Sequence, residues 1–359
     1  VSSRRAMNSL PSQILERWQQ PVLTVQKLNR ECMNMTKPIV VAILIFYFGF
    51  RDSASAQTRE FELSGLTLKI SDSWTAQVFH IVDQLSDWSQ YTHHQYIRWA
   101  RKKMQLNKND SAMLHQHAML RQEHANSVDF DKSFLVDESI ENASAAAIIA
   151  NRLSLAEAKK EEAILLYFST RFTLLHDMAL SQVNTFYKNL TTHKVEVAAF
   201  MKKACDFTET KSKVIVPVFL VANPDNGNGG GEANGGRLVI ELQDSSYVMP
   251  SLIHESLHFL LNPHIEQIKT ASDSAQADWQ VISEGIAYAM EGLVEDADRL
   301  PNALIWNLTH GGLLSDRYTQ FYMAGITFRP ILRTALEEGE TITTFLPKII
   351  KVWKQINQN

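Results

Sequence analysis

Cysteine is nearly absent from the chain, with Cys32 and Cys205 the two in 359 residues. That count excludes a disulfide framework and any zinc module built from thiolates, so a bound metal has to be held by imidazoles and carboxylates. Neither sign of charge dominates: 35 basic side chains stand against 39 acidic ones. This leaves no electrostatic footprint for nucleic acid and no polybasic face for anionic lipid. What is present, 45% hydrophobic and 21% charged residues, fits one large or two modest globular domains with a real core.

The chain also lacks an apolar run of membrane-spanning length around residues 38–50. That run has 13 residues, preceded by Lys37 and followed by Ala54-Ser55-Ala56-Gln57, whereas a bilayer core takes about 20. A short apolar stretch before an Ala-x-Ala site has the anatomy of a cleaved signal peptide rather than of an anchor. Cleavage is expected after Ala56, giving an exported protein, periplasmic or secreted, with no stable membrane anchor. The run begins farther in than a signal normally does, so residues 1–32 read as a start placed upstream of the true one at Met33 or Met35, and residues 33–56 as the signal peptide.

In the mature chain, residues 59–70 alternate apolar and polar side chains and read as one or two short strands. Residues 57–205 are otherwise helical in spacing, beginning with a helix capped by Ser73, and residues 206–359 form the second region. Strands are expected at 213–221 and 237–242, joined by a glycine-rich stretch at 226–236. That stretch lacks the Lys-Ser/Thr ending of a phosphate loop, so it reads as a flexible hairpin tip. From 249 onward the chain is helical, with breaks near Asn262-Pro263, Leu300-Pro301, Gly311-Gly312 and Gly339. The fold class is α+β and mostly helical.

The chemistry concentrates in the segment from Met249 to Pro263. Pro250 suits a first turn and Asn262-Pro263 an end, so a helix of about three turns is bracketed by its own signals. His254 and His258 are four residues apart and share a face, so both imidazoles can reach one ion, while Glu255 projects beside them. Leu252, Ile253, Leu257, Leu260 and Leu261 make this helix apolar otherwise, and buried polar groups need partners. Downstream, Glu284 interrupts an apolar face made by Ile282, Ile286 and Met290, and an acid there is costly unless it too has a partner.

A His-Glu-x-x-His helix followed by a helix bearing Glu284-Gly285-Ile286-Ala287-Tyr288 resembles the gluzincin zinc metallopeptidases over residues 237–295. The resemblance implies a zincin-like core, one Zn2+ held by His254, His258 and Glu284, and peptide-bond hydrolysis with Glu255 as general base. It also implies that a peptide or protein substrate lies along an edge strand over the active-site helix, for which Arg237, Leu238, Val239, Ile240, Glu241 and Leu242 are the expected strand. The chain departs from the family in three ways. The 25 residues between His258 and Glu284 are more than its main branches carry. Ser283 stands where Asn is usual, and Tyr288 stands where an Asp orients the first histidine.

A donor for the oxyanion is expected from His310, Tyr318 or Tyr322. His93, His94, His115, His117 and His124 have no carboxylate at ligand spacing and read as solvated surface side chains. The competing function is a non-catalytic exported binding protein with a structural zinc at the same ligands, which would call for a fourth protein ligand.

Overall fold

A computed structural model of the chain describes residues 58–357 apart from 64, 90–93, 126, 225–229, 243–247, 275–276 and 295–316. The signal-like segment, the breaks near Pro301 and Gly311, and His310 lie outside the described residues. Ala56–Asn359 form one compact unit. Its elements in order are β1 (Thr58–Leu63), β2 (Leu66–Ser71), α1 (Trp74–Ser86), α2 (His94–Trp99), α3 (Lys108–Glu123), α4 (Asp129–Phe134), α5 (Ile140–Ile149), α6 (Leu155–Arg171), α7 (Thr173–Thr192) and α8 (Lys194–Phe207). Then follow β3 (Val214–Val221), β4 (Gly231–Asn234), β5 (Arg237–Glu241), α9 (Val248–Leu261), α10 (Ile265–Asp273), α11 (Trp279–Val294), α12 (Arg317–Glu337) and α13 (Ile342–Asn357). The architecture is α+β, mostly helical, with a small mixed sheet.

The five strands lie in the order β1-β2-β3-β5-β4. The β2–β3 and β3–β5 pairs are parallel, while β1–β2 and β4–β5 are antiparallel. Helices α1 to α8 are thus the crossover between two neighbouring parallel strands, and the sheet draws on both regions separated in the sequence at 205. Strand alternation loads both faces. Leu68, Ile70, Val216, Val218, Leu238 and Ile240 face a core shared with α8, α9 and α11 to α13, whereas Phe219, Val221 and Val239 face a core shared with α1 to α6. A sheet covered on both faces carries apolar side chains at successive positions, which explains the unbroken apolar run of β3.

Two strand expectations need correction. Residues 213–221 and 237–242 are not the arms of one hairpin; they pair in parallel, and the hairpin is β4–β5, closed by Gly235-Gly236. Both glycines have positive φ, at 57° and 77°, as a two-residue turn matched to strand twist requires. Part of the stretch read as a flexible tip is therefore strand β4. It follows that Arg237–Glu241 is an inner strand, hydrogen-bonded on both sides, and that the edge beyond it is β4.

The helices start where capping chemistry places them. Ser73 accepts a hydrogen bond from the Ala76 amide, and Asn107 and Ser154 each form a reciprocal capping box, with Asp110 and Glu157. Of the histidines assigned to the surface, His115 is exposed and His124 is half-buried, donating to Glu157 at 2.9 Å. His117 is a further correction. It is fully buried, and its ring nitrogens donate to Glu161 Oε1 and Asp83 Oδ1, each at 2.8 Å. Burial opposes its imidazolium, but the two carboxylates outweigh that and push its pKa up to about 9. Arg121 joins the cluster, with Nε 2.9 Å from Asp83 and Nη2 3.2 Å from Asp131. The carboxylates come from α1, α4 and α6, so no local spacing in the sequence reveals them.

Candidate metal centre

Helix α9 buries Leu252, Ile253, Leu257, Leu260 and Leu261 in the core shared with α11 and the sheet, which turns its opposite face, with His254, Glu255 and His258, toward α11 and β4. The chain then enters a short 3-10 turn at Asn262–His264, where His264 Nε2 donates to Thr208 O at 2.8 Å and is committed away from the site. Helix α11 brings Glu284 back against α9. Its position depends on close packing with α12: a Cβ added at Gly285 would lie 2.6 Å from Ala324 Cβ, and one at Gly325 would lie 2.5 Å from Tyr288 Cβ.

The result is a convergence of three ligand-type atoms. His254 Nε2 and His258 Nε2 are 3.0 Å apart, and Glu284 Oε2 lies 3.4 Å from each. Ligands about 2.0–2.1 Å from a tetrahedral Zn2+ are separated from one another by about 3.3 Å. The donor set and its spacing therefore fit a metal ion, and among the described residues this is the group that could hold one. The three side chains are buried to half-buried. Burial works against a charged His254, but its hydrogen bonds to Glu284 and Glu291 outweigh it and hold its pKa well above the ordinary value. Burial likewise works against a charged Glu284, and the two imidazoles outweigh it, holding the carboxyl below the usual range.

Glu291 is the partner that sequence reasoning left unassigned. His254 Nδ1 donates to Glu291 Oε2 at 3.0 Å, which fixes the tautomer that turns Nε2 toward the ligand cluster. Glu291 lies seven residues, two helical turns, after Glu284, and a repeated acid on one apolar helix face was the available signal. Tyr288, between them, packs its ring on His254 at 4.4 Å.

Glu255 is not a member of the ligand cluster. It is 7% exposed and lies against β4, where a Cβ added at Gly231 would be 2.5 Å from its Cγ. Burial raises its pKa, the neighbouring His254 and His258 lower it, and Glu284 and Glu232 add to the rise, which prevails. Of the three side chains expected to serve an oxyanion, Tyr322 packs against Tyr288 with the ring planes tilted and the centroids 4.6 Å apart, and so stands one ring removed from His254. Tyr318 is on α12, with its side chain outside the description, and His310 is outside altogether. No protein-family model matches the chain, and no curated protein or solved structure matches it either.

Proposed function

We propose that the chain is an exported zinc-dependent peptidase of gluzincin type, with His254, His258 and Glu284 holding one Zn2+ and Glu255 acting as general base. The observation that carries this reading is the division of labour among four neighbouring side chains. Three of them converge at tetrahedral spacing, while the fourth, Glu255, stands aside between that cluster and the edge strand β4. Three protein ligands are the number of a catalytic site, which keeps one position open for water, whereas a structural site is closed by a fourth.

Bound zinc supplies Lewis acidity, which polarises a scissile carbonyl and makes water a nucleophile near neutral pH. The protein's own residues do the rest. Glu291 orients His254 through its Nδ1 proton, so the imidazole presents a lone pair at Nε2. Glu255 accepts the proton of the attacking water and returns it to the leaving amine. Strand β4 pairs with β5 on one side and offers its other edge to an extended peptide, whose backbone can hydrogen-bond there as an added strand.

The discriminating experiment is Glu255→Gln. The variant keeps its shape and is expected to remain folded and zinc-loaded, while peptidase activity on a peptide library or casein falls at least about 100-fold. A zinc-loaded wild-type protein that cleaves none of a broad panel, alongside a Gln variant with identical melting and binding behaviour, would sink the enzymatic reading in favour of the structural zinc.

A further inference from the structure

Strand β4 is four residues long, pairs with β5 alone among the described strands, and turns through Gly235-Gly236. So short and glycine-rich an edge does not hold its own place, because glycine gives up the most conformational freedom on ordering and one ladder partner returns little. Yet its place matters to within an ångström, since Gly231 touches the Glu255 side chain. Something outside the sheet has to fix it.

We propose that His80 is a positioning residue for the peptide-binding strand, clamping β4 to helix α1 through Glu232 and thereby setting the height of β4 over Glu255. The inference rests on the peptidase reading for its functional meaning, but the clamp itself is a matter of geometry.

His80 comes from the helical layer on the far face of the sheet and is 2% exposed. Its Nδ1 donates to Glu232 Oε1 on β4 and its Nε2 to Glu241 Oε1 on β5, both at 3.0 Å. One imidazole thus bridges neighbouring strands from above. Each carboxylate extends the bridge with its second oxygen. Glu241 Oε2 accepts from the Gly230 amide at 2.9 Å, and Glu232 Oε2 accepts from Asn234 Nδ2 at 3.0 Å, so both ends of β4 are tied down. The turn is held as well, with Arg237 Nε donating to Leu135 O at 2.9 Å at the end of α4. Helix α1 is itself anchored one turn further on, where Asp83 meets His117 and Arg121. Burial opposes the charge on His80, but its hydrogen bonds to Glu232 and Glu241 outweigh that and push its pKa up to about 10, so both nitrogens carry protons at neutral pH.

A buried imidazolium between two carboxylates is a poor device for stability alone, because well-packed apolar side chains do as well. It does fix direction and distance. Glu232 is the solvent-facing end of the arrangement, with its side chain 29% exposed. A direct contact between Glu232 and a cationic substrate is therefore the competing role, and the test has to separate the two.

The test uses the zinc-loaded full chain and the variants Glu232→Ala, Glu232→Gln and His80→Gln. Glu232 is partly exposed, so its truncation leaves the His80–Glu241 pair and the core intact; far-UV circular dichroism and melting check this. Hydrogen exchange of the segment 230–242, read by mass spectrometry, reports the clamp without any need for activity. Glu232→Ala and His80→Gln are expected to raise exchange of the β4 amides about tenfold, as loss of a charge-assisted hydrogen bond implies. With peptides, Glu232→Ala is expected to raise KM about tenfold on neutral and cationic substrates alike, with kcat changed less than about threefold, and Glu232→Gln, whose amide oxygen still accepts from Nδ1, to restore KM. Unchanged β4 exchange in both variants overturns the clamp whatever the activity. A KM loss confined to cationic peptides and not restored by Gln overturns it in favour of direct substrate contact. Raised exchange in a protein that hydrolyses no peptide upholds the clamp and overturns the peptidase reading alone.

Discussion

Gly231→Ala places a methyl group where the arm of Glu255 now lies. An ideal Cβ at this position is 2.5 Å from Glu255 Cγ, 3.0 Å from its Cδ and 2.9 Å from the carbonyl oxygen of Val239 on β5. Carbon atoms pack at about 3.5–4.0 Å, so relief requires about 1 Å of movement by the Glu255 side chain or by the strand. The strand has little room, because the Val239 carbonyl is backbone of the inner strand and the His80 bridge holds β4 from the other face. The backbone at Gly231 is outside the left-handed region, so alanine brings no backbone strain of its own and the effect comes from these close contacts. Overpacking of this kind costs about 1–3 kcal/mol of stability, whereas a base misplaced by about 1 Å costs about 100-fold in rate. The expected outcome is a folded variant with one zinc per chain and a slightly lowered melting point, but kcat/KM for a peptide reduced about 100-fold. Zinc content by elemental analysis and activity on a fluorogenic peptide check it together. Activity within about twofold of wild type, with zinc retained, would refute the placement of Glu255 as base against β4.

Three further outcomes follow from the same geometry. Glu291→Ala removes the acceptor of His254 Nδ1 and is expected to weaken metal binding about 10- to 100-fold in chelator competition, with Glu291→Gln weakening it less; undiminished affinity would show that the contact does not orient the ligand. Asp83→Ala leaves Arg121 and His117 short of a carboxylate in a buried place, so urea titration should show a loss of about 3–5 kcal/mol, and a loss below about 1 kcal/mol would contradict that figure. The folded pKa values of His80 and His117, pushed up to about 10 and about 9, lie above the ordinary value of 6.5. The folded state therefore holds more protons than the unfolded one over this range, and stability falls as pH rises. The contribution is complete below about 6.5 and lost through about 9–10, and melting points that stay level across that range would contradict it.

Helix α9 and its pair of histidines were legible because their signals are local. His254 and His258 at a spacing of four, Pro250 in the first turn and Asn262-Pro263 at the end all lie within one element, and α9 runs over Val248–Leu261. Glu284 was legible as an acid on an apolar helix face. The edge strand was not, and the reason is physical. Arg237–Glu241, expected as the edge because it comes just before α9 in the sequence, carries Leu238, Val239 and Ile240 in succession because it is an inner strand covered on both faces. A true edge has less need of apolar side chains, and Gly231-Glu232-Ala233-Asn234 is weak in β propensity. It is held as a strand by Gly235-Gly236, by β5 and by His80, and only the turn is visible in the sequence nearby.

The buried histidines show what separates a cluster that could hold a metal ion from a purely structural one in this chain. His80, His117 and His254 are all buried, and all donate to carboxylates, so burial and acidic neighbours do not distinguish them. The difference lies in where the second ring nitrogen points. In His80 and His117 the two nitrogens reach carboxylates on opposite sides of the ring, one to each, and no common point exists at which an ion could sit. In His254, Nδ1 is taken by Glu291, and Nε2 is turned toward the place where His258 Nε2 and Glu284 Oε2 also arrive. That convergence needs two imidazoles on one helix face, which is what a spacing of four supplies. His115 and His117, two apart, fall on different faces, one exposed and one buried. The spacing of four therefore singles out the two imidazoles that converge with Glu284, while the buried imidazolium clamps, whose carboxylates arrive from helices and strands at least 34 residues away, become visible only once the layers are assembled.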